Sequence, residues 1–198
     1  MSDFLQRNAE FAEKTNSSVF RAAEEGQTPK LLWIGCSDSR APANTVIGSN
    51  IGEVFLYKNV ANVFTPTDTS AVAAVAYAVN VLKVPNIVVV GHTQCGGCSA
   101  AMSAASRKPG ASFLPGTQQL NEWIEPIRIL AIDELRRNRN ADLDTLIVAN
   151  VRQQFYNLAR HPVIRAAWAR GQALEVHGWI YNISTGRIQD LGLTQSGH

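Results

Sequence analysis

Two short polar clusters hold the residues with the most chemical capacity: Cys36-Ser37-Asp38-Ser39-Arg40 and His92-Thr93-Gln94-Cys95-Gly96-Gly97. Cys36, His92 and Cys95 together offer two thiolates and an imidazole. Zinc accepts that mixture, and three protein ligands leave a fourth position for water or substrate. Asp38, two residues from a ligand, is placed either to join the metal and close the site or to accept a hydrogen bond from a metal-held oxygen. Arg40 can grip Asp38 in a bidentate fork and hold it off the metal. Blander readings stand beside this one. A cysteine after a strand is often a small buried hydrophobe, and Asp38 with Arg40 could be an ordinary surface pair, worth about 0–1 kcal/mol. Cys95-Gly-Gly-Cys98 has the spacing of a redox motif, and Cys98 as a fourth ligand would make a closed structural site.

These residues need elements to bring them together. Leu31-Leu32-Trp33-Ile34 is a short apolar run leading into Gly35-Cys36, and Ile87-Val88-Val89-Val90 leads into Gly91-His92. Both read as buried strands with a polar motif just past the C-terminal end, where open α/β sheets bind ligands. Val54 to Tyr57 is a further strand, and Leu174 to Ile183 turns at Ser184-Thr185-Gly186 into a short last strand, Arg187 to Leu191. Helical spacing covers about Asp3 to Glu25, Thr69 to Leu82, Thr117 to Arg137 and Leu143 to Arg160, with a short helix from Pro162 to Gly171. Asp142 or Asp144 caps the 143–160 helix. The pattern predicts a mainly parallel α/β sheet, about four parallel strands plus one antiparallel edge strand, flanked by helices. It forms a single domain over 1–198, with residues 1–26 as an N-terminal helical arm and 27–198 as the core. The arm packs on its own domain or on a second subunit.

Composition narrows the classes. Of the 198 residues 45% are hydrophobic and 17% charged, enough apolar material for an ordinary core. A net charge of +2 without a basic cluster argues against nucleic acid. No apolar run reaches transmembrane length, and the first residues mix acids and bases without an apolar signal core. The expected compartment is the cytoplasm, where the three cysteines would be thiols or metal ligands.

The segments CSDSR and GHTQCGG, with 56 positions from Cys36 to His92 and three more to Cys95, resemble the β-class carbonic anhydrases. So do GQTPKLLWIGCSDSR, GEVFLYKNVAN, YAVNVLKVPNIVVVGH and HGWIYNISTGRIQDL, which span most of residues 26–192. The resemblance implies reversible hydration of carbon dioxide to bicarbonate and a proton by a zinc-held hydroxide. Cys36, His92 and Cys95 would be the ligands of one Zn2+ per chain, and Asp38 with Arg40 would orient the nucleophile. It implies a substrate contact from Gln27, an apolar pocket of Phe55, Val60 and Tyr77, and backbone N–H groups at Gly96 and Gly97 for an oxyanion. Cys98 falls outside the pattern. Some members carry a regulatory bicarbonate pocket of tryptophan, arginine and tyrosine. Trp33 and Tyr181 match two positions, but the third is Lys58, which keeps the charge and loses the planar fork. The site lies near a subunit interface in this family, so a homodimer or higher even oligomer is expected. His161 and His177 are candidates for proton transfer by chemistry alone. The rival functions are the same zinc chemistry on another small electrophile, and a zinc-stabilised dimer or bicarbonate sensor without turnover.

Overall fold

The computed structural model describes residues 2–105 and 118–197. A five-stranded sheet runs in the order β2-β1-β3-β4-β5. Its strands are β1 (Leu31–Cys36), β2 (Val54–Asn59), β3 (Asn86–His92), β4 (Glu175–Asn182) and β5 (Arg187–Gln195). The first four are parallel and β5 is an antiparallel edge, the arrangement expected from the alternation of strand and helix patterns. β1 and β3 are immediate neighbours, with Gly35 opposite Val90. Strands about 4.8 Å apart whose ends differ by one residue bring Cys36 and His92 together. Each is the last residue of its strand and not the first residue beyond it.

The helices are α1 (Ser2–Lys14), α2 (Ser17–Glu24), α3 (Ala43–Ile47), α4 (Thr69–Asn80), α5 (Gly96–Ala104), α6 (Gln118–Arg137), α7 (Leu143–Ala159) and α8 (Pro162–Ala169). The expected start of α6 at Thr117 lies outside the described residues. Asp142, not Asp144, caps α7: its side chain accepts from the Thr145 N–H, and the Asp142 N–H donates to Thr145 Oγ1, a complete capping box. Two expectations needed correction, and helix α5 had none. The N-terminal pattern is two helices, because Asn16 takes extended backbone and caps α2 through the Ser18 N–H. Helix α5 follows Cys95, where its run of Gly, Ala, Ser and Met carries no apolar period to read. Strand β5 continues to Gln195, four residues past the expected end.

Side chains alternate across the strands, so the sheet has two unlike faces. Leu32, Ile34, Ile87, Val89 and Val176 point into the main core with α4, α5, α6, α7 and α8. Trp33, Val88, Val90 and Tyr181 point the other way into a smaller cluster with Ala43, Val46 and Ile47 of α3. The arm packs little against its own domain: Phe4 is 66% and Leu5 72% exposed. No helix among the described residues is long and apolar enough to cross a membrane.

Candidate metal centre

Cys36 ends β1, His92 ends β3, and Cys95 follows the Thr93-Gln94 turn as the residue preceding α5. Gln94 has φ 58°, a left-handed turn that folds the chain back so that Cys95 faces the strand ends. One donor atom from each of Cys36, His92 and Cys95 lies within 4.8 Å of the others, and all three residues are buried. The His92 Nδ1 sits 2.9 Å from the Thr93 carbonyl, which can only accept, so Nδ1 carries the proton and Nε2 keeps its lone pair. That Nε2 is buried without a hydrogen-bond partner among the described residues. An unpartnered buried nitrogen is costly unless it ligates something. The donor set therefore fits a tetrahedral zinc with one free position.

The hydrogen-bonded Cys95 thiol and burial push the Cys36 thiol up to about 12. Cys36 pulls Cys95 down, but Cys98 and burial outweigh it and raise Cys95 to about 12 as well. Burial pushes His92 down, and its contact with Cys36 more than restores it, leaving it raised. Two adjacent buried thiols resist ionisation, and a divalent cation coordinated by both reverses that preference. Cys95 also stands at the positive end of α5. Ala61 N–H points at Cys36 Sγ from 3.3 Å. Cys98 is buried beside Cys95 and is not one of the three residues of the cluster.

Asp38 and Arg40 form the bidentate fork: Arg40 Nε donates to Oδ1 at 3.0 Å and Nη2 to Oδ2 at 2.8 Å, with the Arg40 N–H on Oδ1 at 2.9 Å. The Arg40 side chain, foremost among its partners, holds the Asp38 carboxyl well below the usual carboxylate range. Arg40 Nη2 also donates to the Gln94 carbonyl at 3.2 Å, tying the two motifs together. Oδ2 lies 3.9 Å from His92 Nε2, so the carboxylate borders the donor set.

The other expected site residues divide. Phe55 and Tyr77 pack ring to ring at 5.8 Å. Val60 meets Gly97, where an added Cβ would stand 3.1 Å from Val60 Cγ1 and 2.9 Å from the Ala61 Cβ. Glycine is what allows the first turn of α5 to approach that segment. Gly96, Gly97 and their neighbours start α5 with N–H groups that have no intrahelical acceptor. Gln27 is not brought to the cluster: it is exposed, ahead of the N-terminal end of β1, while Cys36 closes the other end of that strand about 17 Å away by strand rise. Trp33 and Tyr181 share the smaller buried cluster, and Lys58 Nζ donates to the Ala41 carbonyl at 2.9 Å. His161 caps α8 against Phe64, and His177 pairs with Thr194 four residues before the end of β4's match to His92. Neither histidine joins the cluster. Ala61 on Cys36 is a contact that no sequence pattern announces.

A model of the carbonic anhydrase family matches residues 31–188. The carbonic anhydrase of Emericella nidulans is 34% identical over 183 residues, covering 90% of this chain and 76% of that protein. The one of Pseudomonas aeruginosa is 35% identical over 178 residues, covering 88% and 79%. A Coccomyxa β-carbonic anhydrase solved in complex with acetazolamide has a TM-score of 0.89 at 30% identity, over 99% of this chain and 88% of that one. A tetrameric β-carbonic anhydrase from Sordaria macrospora has a TM-score of 0.85 at 34% identity, over 98% of both chains.

Proposed function

The chain belongs to the β-carbonic anhydrase family, and from that premise we propose that it hydrates carbon dioxide reversibly to bicarbonate and a proton, with Cys36, His92 and Cys95 holding one zinc ion. The observation that carries the reading is the buried, unpartnered His92 Nε2 set between two thiols and beside Asp38. When bound, zinc supplies the Lewis acidity that makes a water molecule nucleophilic near neutral pH.

The chain's own residues do the rest. The nucleophile is a hydroxide, formed once the water has lost one proton to solvent; Asp38 stays ionised, and its Oδ2, with one fork bond from Arg40, keeps a lone pair for the O–H that this hydroxide retains. That bond aims an oxygen lone pair at the carbon of carbon dioxide, and a new C–O bond forms while one C=O bond becomes a C–O⁻. Phe55, Val60 and Tyr77 give the gas an apolar wall, and the free N–H groups at Gly96 and Gly97 suit the developing oxyanion. Gln27 enters from a second copy in this reading, because its own strand separates it from its own cluster. A homodimer or larger even assembly follows, in keeping with the exposed apolar side chains of Leu56, Val60 and Tyr77 and of the arm.

Metal removal tests the assignment. Dialysis against a zinc chelator should abolish hydration, and stoichiometric zinc should restore it with the far-UV spectrum unchanged throughout. Hydration that survives complete zinc removal would overturn the reading.

A further inference from the structure

The segment after β2 is held more firmly than its length requires. Ala61 and Asn62 both take left-handed backbone, with φ 64° and 48°, which non-glycine residues keep only where the surroundings impose it. The surroundings are a ladder of side-chain amides on α7. Asn150 Nδ2 donates to the Ala61 carbonyl at 2.9 Å, and Gln154 Nε2 donates to Asn150 Oδ1 at 2.9 Å. Gln154 Oε1 accepts from the Phe64 N–H at 3.1 Å, and Asn157 Nδ2 reaches both Gln154 Oε1 and the Phe64 carbonyl. Asn150 is 1% and Gln154 4% exposed, so both amides are taken fully out of water. Trp123 Nε1 fastens the near side through the Val60 carbonyl at 2.9 Å.

What this clamp fixes is the backbone on both sides of Ala61: Asn150 holds its carbonyl in the peptide to Asn62, and Trp123 holds the Val60 carbonyl of the peptide whose N–H, that of Ala61, is the donor on Cys36 Sγ. The remaining Asn150 N–H points toward Cys98 Sγ at 3.9 Å, beside the other cysteine of the cluster. We infer that Asn150 is a positioning residue for the metal centre: by holding the Ala61 carbonyl it keeps this residue in its left-handed conformation, and so keeps the Ala61 N–H on the Cys36 sulfur and sets that ligand's donor strength. The inference rests on the reading that Cys36, His92 and Cys95 bind metal. A hydrogen bond to a ligating thiolate lowers the energy of the sulfur lone pair and fixes its direction. Outer partners of this kind typically change metal affinity about 10–100-fold.

The test uses cobalt(II) loaded into the full chain, with Asn150→Ala compared against Leu158→Ala. Leu158 is a fully buried residue two turns along α7 from Asn150, and its apolar side chain takes no part in the hydrogen-bond ladder. Asn150→Ala should move the thiolate-to-cobalt charge-transfer band to lower energy and weaken zinc, by chelator competition, about tenfold or more. Leu158→Ala should lose thermal stability and keep both wild-type values. Should Asn150→Ala fail to fold, Gln154→Ala, one bond further along the ladder, must show the same band shift at smaller amplitude. An unshifted band, or equal shifts in the clamp variant and in Leu158→Ala, overturns the inference. Failure of the wild-type chain to bind cobalt at all would instead overturn the metal reading beneath it.

Discussion

A Cys36→Ser variant should purify with almost no zinc and no measurable hydration. The serine hydroxyl stays protonated at neutral pH and is a poor zinc ligand, so only His92 and Cys95 remain of the buried donor set. The loss in affinity should exceed the ~10–100-fold that removal of an outer partner costs, because here a bond to the metal itself disappears. Serine is close to cysteine in size and can still accept the Ala61 N–H, so the fold should persist. Zinc per chain by elemental analysis, with a far-UV spectrum on the same sample, reads both. Full zinc content in the variant would remove Cys36 from the ligand set.

The second large effect separates catalysis from metal binding. Asp38→Ala should keep its zinc and lose hydration by about 10²–10⁴-fold, the range for a residue that positions or receives a proton during reaction. Arg40 holds the Asp38 carboxyl well below the usual carboxylate range, so Asp38 is ionised throughout a neutral assay. Its removal should therefore lower hydration by the same factor at every pH from about 6.5 to 9. A loss confined to one end of that window would mean that Asp38 titrates during turnover and has a different role. Unchanged turnover would remove it from the mechanism altogether.

The parts of this site that were legible in the sequence are those whose position follows from local pattern. Apolar runs ending in Gly35-Cys36 and Gly91-His92 announce strands that deliver a side chain able to hold a metal at each C-terminal end, and parallel pairing of β1 with β3 then makes them neighbours. Asp38 and Arg40, two residues apart, needed only a turn to form their fork. The remainder depends on packing between distant segments. Helix α5 begins with two glycines and continues with small residues, so no apolar stripe marks it, yet its first turn sets Cys95 and fits against Ala61. The Ala61 N–H on Cys36 comes from a residue in a left-handed conformation that alanine disfavours, and Asn150, far along the chain, holds that residue by its carbonyl. Asn150 and Gln154 look like surface amides by type, and only the burial of α7 reveals otherwise. Gln27 is the reverse case: nine residues from Cys36 in sequence, it lies at the other end of the strand in space.

The most direct measurement is stopped-flow hydration of carbon dioxide by the wild-type chain across pH 6.5 to 9, with zinc determined on the same sample. The account predicts close to one zinc per chain and hydration that is already present at neutral pH, because the Arg40 fork holds Asp38 beside the donor set and leaves a position for water. The rate should rise smoothly with pH as more of that water is deprotonated. One zinc per chain with no hydration at any pH would contradict it, and would turn attention to another small electrophile or to a sensor without turnover.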